Sequence, residues 1–319
     1  MIKKKVLLLG STGQMGRHLV RKLTKNNYKV ICQTRNSHKA VFLKMYGSIG
    51  YIEIVESSIF DESKIEKLIS EVDICINLIG ILYEKNRSNT FKKIHVDFPS
   101  KISFLCKKHD TELIHFSALG VEKATDSKYA KSKLNGEKLI RQNFAKATII
   151  KPSLIFSVSD SLSTKFLSLL NILPAFPLYY NGSTKFMPIH ASDVADLTFH
   201  IISNEINSKD IEAVGPDVLT FKEILKILLK SIDKKRFLIS LPTPLAKLTA
   251  KIFSIFPNPP ITSDQLRLLK YDNVSSSNSV TNFDIDCPSK ISFENGINKY
   301  SYNWRDGGQY SIKKIKKLK

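Results

Sequence analysis

Cysteine is scarce in this 319-residue chain, and the four present (Cys32, Cys75, Cys106 and Cys287) lie far apart with no Cys-x-x-Cys pair. That spacing argues against a zinc ribbon and a disulfide framework, and it fits a reducing compartment such as the cytoplasm. The seven histidines form no His-x-x-x-His pair and no cluster with carboxylates, so no metal is expected. Long apolar runs are also missing: no window of the sequence approaches the roughly 20 residues needed to span a bilayer. The opening Met1-Ile-Lys-Lys-Lys is charged like the start of a signal peptide, but its apolar run stops at Gly10, too early for one. Acidic residues are few, 29 against 49 Lys and Arg, which leaves a formal net charge of +20. Such an excess attracts polyanions, including an anionic membrane surface; lysines scattered through an Ile-, Asn- and Ser-rich chain equally reflect compositional drift. No basic recognition helix, zinc-finger spacing or basic-aromatic sheet motif accompanies the charge, so no specific nucleic acid is expected.

What is present is an alternation of strand-like and helix-like segments. Strands are expected at 6–9, 29–33, 51–55, 73–79, 112–116 and 147–151, with helices at 14–25, 61–70, 91–108 and 127–143. Asp61 is placed to cap the second helix. Val6-Leu-Leu-Leu and Ile74-Cys-Ile-Asn-Leu-Ile are nearly continuous in apolar character, as strands covered on both faces must be. The fold class expected is α/β: a Rossmann-type doubly wound parallel sheet over residues 1–155, followed by a smaller C-terminal α/β lobe over 156–319 that is partly interleaved with it. In the second lobe helices are expected near 193–202 and 220–231, a polar loop at 272–279 and a basic tail at 313–319.

Gly10-Ser-Thr-Gly13-Gln-Met-Gly16 follows the first strand and opens the first helix. Glycines there permit a tight turn and let backbone amides approach a pyrophosphate, which the helix dipole favours. A glycine-rich turn without a ligand is the competing reading. The second strand ends in Gln33-Thr34-Arg35-Asn36, with no acid for a ribose 2′-hydroxyl. A guanidinium suits a 2′-phosphate, so Arg35, with Lys39 nearby, points to NADP(H) in preference to NAD(H).

Ser117 precedes Tyr129-x-x-x-Lys133, whose spacing puts phenol and ammonium on one helical face. A nearby cation lowers a phenol pKa, so the expected catalytic set is Ser117, Tyr129 and Lys133, passing a proton while a nicotinamide moves hydride. Together with the phosphate loop these features resemble the extended short-chain dehydrogenase/reductase superfamily. The resemblance narrows to an atypical branch, the alpha-subcomplex subunit 9 family of respiratory NADH:ubiquinone oxidoreductase and its bacterial relatives. It is carried by Asn77-Leu-Ile-Gly80-Ile-Leu, Ile94-His95-Val96, His115-Phe-Ser-Ala-Leu-Gly120, Ser127-Lys-Tyr-Ala-Lys-Ser-Lys133-Leu-Asn-Gly-Glu137 and Lys151-Pro-Ser-Leu-Ile-Phe156. Downstream it extends to Lys185-Phe-Met-Pro-Ile-His190-Ala-Ser-Asp193, Pro259-Pro-Ile-Thr-Ser-Asp264-Gln-Leu and Lys270-Tyr-Asp-Asn-Val274.

The resemblance implies dinucleotide contacts from Gly10, Thr12, Gly13, Gln14, Met15, Gly16, Arg35, Ser58, Ile59, Leu78, Gly80, Tyr129, Lys133 and Pro152. It also implies an NADP(H) held mainly for structure, and association with a membrane assembly of the respiratory chain or of ubiquinone biosynthesis. The expected location is cytoplasmic, peripheral on the inner face of the cytoplasmic membrane. Two departures from the catalytic superfamily bear on turnover: His95 stands where active members often carry a water-holding Asn, and Ser58 where an acid usually faces the adenine. A working NAD(P)-dependent reductase, epimerase or dehydratase using Ser117, Tyr129 and Lys133 is the alternative. Residues 243–256 have the pattern of an amphipathic helix, suited to a membrane interface or to packing on the second lobe.

Overall fold

The continuous apolar runs become buried parallel strands. The computed structural model describes residues 2–158, 160, 163–242, 244 and 262–310. Strands β1 (Lys5–Leu9), β2 (Lys29–Thr34), β3 (Ile52–Glu56), β4 (Ile74–Asn77), β5 (Glu112–Phe116), β6 (Thr148–Pro152) and β7 (Asp210–Ala213) form one sheet. Its order is β7-β6-β5-β4-β1-β2-β3, and every neighbouring pair is parallel. The order reverses between β1 and β4, and the crevice at such a switch point is where open parallel sheets bind ligands.

Alternation along β1 sorts the core into two layers. Val6 and Leu8 pack toward α1 (Gln14–Lys25) and α6 (Ala191–Ser203), while Leu7 and Leu9 pack toward α2 (Glu62–Ser70), α3 (Phe98–Lys108) and α4 (Lys128–Asn143). Asp61 caps α2 by accepting from the Lys64 N–H at 3.1 Å. The single helix expected at 91–108 is instead a π-helical turn, Lys92–Asp97, running into α3. Single π turns often mark functional positions, and this one carries His95.

The doubly wound sheet expected from the sequence is present, but β7 and α6 come from beyond residue 155 and pack with the first half. The remaining C-terminal elements enclose a second core around Phe156, Phe221, Leu225, Leu228 and Phe293, built on α5 (Ser163–Ile172) and α7 (Phe221–Ser231). The stretch Ala175–Leu178, rich in proline and aromatics, is a short strand paired parallel with Phe237–Ser240. The amphipathic segment at 243–256, apart from Pro244, and the basic tail at 313–319 lie outside the described residues. Among the described residues no helix is long and apolar enough to cross a membrane.

Candidate dinucleotide site

The glycine loop has the geometry a pyrophosphate requires. Gly10 takes φ +88°, a conformation that L side chains rarely adopt, and Gly13 caps α1 in extended geometry without any side-chain hydrogen bond. No acidic residue lies in the first turn of α1, so its amides meet no competing carboxylate there. A Cβ on Gly16 would stand 2.3 Å from the Ser11 carbonyl oxygen, so only glycine lets the helix come this close to the loop. Ser11 donates through Oγ to the Gln33 carbonyl at 3.0 Å, tying the loop to the end of β2. Thr12 is exposed on the loop, Gln14 donates to Ser157 Oγ at 2.9 Å, and the Met15 side chain is buried in the core, leaving its amide for a ligand.

At the end of β2, Arg35 and Lys39 are exposed, and among the described residues neither forms an ion pair. The nearby Glu56 carboxylate is occupied: Ser37 donates to it through its amide at 2.7 Å and its hydroxyl at 2.6 Å. These bonds hold Glu56 below the usual carboxylate range. Ser58 is exposed and accepts the Phe60 N–H at 3.2 Å, Ile59 packs on the core, and the buried Ser57 hydroxyl has no hydrogen-bond partner among the described residues. A backbone cradle at the glycine loop and exposed cationic side chains at the end of β2 fit a dinucleotide.

Beyond β4, Asn77 shapes the next loop. Its Oδ1 accepts the Ile79 N–H at 3.0 Å, so its amide nitrogen donates to His115 Nδ1 at 3.1 Å. Leu78 donates its N–H to the Leu9 carbonyl, which brings the loop beside Gly10. A Cβ on Gly80 would lie 3.3 Å from Lys133 Nζ and 3.6 Å from His95 Nε2, so this glycine borders both groups. Pro152 ends β6, its carbonyl receiving the Leu119 N–H at 3.0 Å.

The Ser, Tyr and Lys positions are differently committed. Lys133 is buried, donates to the Phe116 carbonyl at 3.0 Å, and is lowered to about 8 by burial, with Glu137 opposing. Tyr129 is half-buried, and its ring centroid lies 6.0 Å from that of Phe91 and 5.4 Å from that of His95. The sequence leads one to expect an acidified phenol; instead, burial pushes Tyr129 up to about 12. Desolvation of the anion outweighs any help from the ammonium. Ser117, expected in the catalytic set, donates its hydroxyl to the buried Glu137 carboxylate. Glu137 in turn pairs with Lys151 at 3.0 Å, and Lys151 with Asp210 at 3.0 Å.

Glu137 is the residue the sequence reading missed. The signal was available, since 129, 133 and 137 recur every fourth residue and share one face of α4. Gly136 beside it is required because a Cβ there would meet the His95 carbonyl oxygen at 2.0 Å.

His95 is fully used. Nε2 accepts the Ile81 N–H at 3.0 Å, which puts the proton on Nδ1, donating to Ser132 Oγ at 2.8 Å. Ser132 in turn donates its hydroxyl to the Tyr129 carbonyl at 2.7 Å. Burial, helped by the Lys133 charge, lowers His95 to about 2, and burial lowers His115 well below its usual value. Folded-state values beneath the ordinary 6.5 mean that the unfolded chain binds more protons below that pH. Stability is therefore complete above about pH 6.5 and falls by about 1.4 kcal/mol per pH unit per histidine as the pH drops. Urea unfolding at pH 7 and pH 5 is expected to show this loss, with a shallower pH slope in His95→Asn; a wild-type stability that is flat between the two would contradict it.

Two surface clefts lie elsewhere, one around Phe60, Lys93 and Lys101 beside the start of α2 and one around Phe104, Leu139 and Asn143 between α3 and α4. Neither lining includes the glycine loop or Tyr129. Among the described residues no group of three His, Cys, Asp or Glu is arranged to hold a metal.

Comparison with known proteins agrees with this architecture. The model of the NAD dependent epimerase/dehydratase family matches residues 6–215. The chain is 28% identical to the mitochondrial NADH dehydrogenase [ubiquinone] 1 alpha subcomplex subunit 9 of Arabidopsis thaliana over 293 residues, 88% of this chain and 73% of the relative. It is 24% identical to a ceramide reductase of Caulobacter vibrioides over 240 residues, 75% of this chain and 74% of that one. Among solved structures, dTDP-glucose 4,6-dehydratase of Bacillus anthracis in complex with NAD superposes with a TM-score of 0.70 at 13% identity, covering 95% of this chain and 96% of the other. That likeness is one of fold.

Proposed function

The chain belongs to the NAD dependent epimerase/dehydratase family, and we propose that it is an NADP(H)-binding accessory protein of respiratory NADH:ubiquinone oxidoreductase that holds its cofactor instead of turning it over. The observation that carries this reading is the Ser117 hydroxyl, whose single proton is given to Glu137. It is thereby withheld from a substrate oxygen. The neighbouring groups support the same reading: the Tyr129 phenol is raised to about 12, and both ring nitrogens of His95 are bonded within the protein. The partner is inferred from the relatives named as subunits of NADH dehydrogenase.

A bound dinucleotide would bring hydride chemistry to the site. In this reading the amides of Gln14, Met15 and Gly16 hold its pyrophosphate, Arg35 its 2′-phosphate, and Lys133 with Tyr129 its nicotinamide ribose. Titration of apo protein is expected to give NADPH an affinity about 10-fold or more above NADH, since a charge-assisted bond to phosphate contributes about 1.5–3 kcal/mol. Arg35→Ala removes the difference. Equal affinities in the unmutated protein would sink the assignment of Arg35.

A working reductase is the second reading, favoured by Tyr129 and Lys133 one helical turn apart and by the ceramide reductase relative. It requires Ser117 to leave Glu137, and it predicts substrate-dependent NADPH oxidation that disappears in Tyr129→Phe.

A further inference from the structure

The C-terminal segment 262–273 is absent from the cofactor site as described above, yet it touches the helix that carries Tyr129. We propose that this segment is a clamp fixing the start of α4, with Asp264 as a positioning residue for Tyr129. The clamp stands on contacts in the protein alone; its effect on the dinucleotide rests on the cofactor-binding reading above.

A helix start leaves backbone N–H groups without partners. In α4, Ser127 accepts the Ala130 N–H at 3.2 Å in the ordinary way. The Lys128 and Tyr129 amides are instead satisfied by a residue more than 130 positions away: each donates to the Asp264 carboxylate at 2.9 Å. The Ser127 hydroxyl donates to the same carboxylate at 2.8 Å. Asp264 also lies in the first turn of its own short helix, Ser263–Leu268, whose capping box joins Thr262 and Gln265. One negative charge therefore stands between two helix starts, both of whose dipoles favour it.

The rest of the segment is fastened on both sides. Toward the Rossmann lobe, Lys270 pairs with Asp126 at 2.7 Å, and Asn273 donates to the Leu119 carbonyl at 2.7 Å while accepting from Ser153 Oγ at 2.6 Å. Toward the second lobe, Asp272 accepts the Lys185 N–H at 2.8 Å, and Leu266 packs beneath Tyr179. The segment thus crosses the loops that leave β5 and β6, beyond the carboxyl ends of the strands, the side of a parallel sheet on which ligands bind. Tyr129 occupies the first turn of α4, so any tilt or fraying of that turn displaces Tyr129 before Lys133.

Hydrogen exchange and NADPH titration on the full chain test the clamp. Asp264→Asn preserves shape and removes the charge; exchange of the Lys128 and Tyr129 amides is expected to accelerate about tenfold, as loss of a cap predicts, with β1 to β4 unchanged. NADPH affinity is expected to fall about fivefold to tenfold, and Asp264→Glu to recover most of both effects. Should Asp264→Asn speed exchange throughout the chain, Lys270→Met, which breaks only the exposed bridge to Asp126, is expected to accelerate the same amides by a smaller factor. Unchanged exchange at Lys128 and Tyr129 in both variants overturns the clamp. Faster exchange with unaltered NADPH affinity overturns the positioning of Tyr129. A wild-type chain that binds no dinucleotide defeats the functional reading, and also the positioning role, while the exchange result still decides the clamp.

Discussion

Gly16→Ala is expected to lower dinucleotide affinity at least about 100-fold, equivalent to about 2.7 kcal/mol. The added methyl would lie 2.3 Å from the Ser11 carbonyl oxygen and 2.6 Å from that of Gly10, and both are backbone atoms that cannot rotate away. Relief requires α1 to retreat from the loop, which moves the first-turn amides away from the pyrophosphate they would hold. The affinity loss should therefore be similar for NADPH and NADH, unlike that of Arg35→Ala. Calorimetric titration beside a circular-dichroism melt separates lost binding from lost folding. A Gly16→Ala protein that binds NADPH within threefold of wild type would contradict the placement of the ligand at this loop.

Glu137→Ala is expected to destabilise the fold by about 1.5–3 kcal/mol, the range for hydrogen bonds to a charged group, because Lys151 keeps Asp210 as a partner. Glu137 is 5% exposed and receives both the Ser117 proton and a bond from Lys151. Its removal leaves Ser117 without this acceptor and Lys151 with Asp210 alone, unfastening α4 from β6. Glu137→Gln, which keeps an oxygen for Ser117, should cost less. Glu137→Gln keeps an acceptor for the Ser117 hydroxyl, so that variant is expected to show no more turnover than the wild type. Denaturant unfolding that places Glu137→Ala within about 1 kcal/mol of wild type would contradict a buried network here.

The main sheet was legible because its strands are uninterrupted apolar runs between short helices. The bounds of α1 were legible too, since Gly13 and the Asn26-Asn27 turn punctuate both ends. By contrast, β7 is the short mixed sequence Asp-Ile-Glu-Ala, which becomes a strand only because β6 offers it an edge. The π turn around His95 carries no periodic signal apart from the helix it precedes.

For the candidate site, residue types and spacing indicated the loop, Arg35 and the Tyr129–Lys133 face, because these follow from local geometry. The commitments of their polar atoms did not follow. Whether Ser117 donates to a substrate or to Glu137, and whether burial or a cation governs the Tyr129 phenol, depends on distances across the fold. The polar stretch at 272–279 read as a loop, and it is one; the bonds from Asp272 and Asn273 to Lys185, Leu119 and Ser153 join positions too distant for any sequence pattern.

A cofactor held without turnover inside a respiratory assembly should survive native purification from membranes together with its partners. Subunits that co-migrate with this chain would be identified by mass spectrometry, and nucleotide released from the same fraction quantified. Co-migration with NADH:ubiquinone oxidoreductase subunits and about one NADP(H) per chain are expected, with no substrate-dependent NADPH oxidation attributable to this protein. A free protein without such partners, whose NADPH oxidation is abolished by Tyr129→Phe, would contradict it.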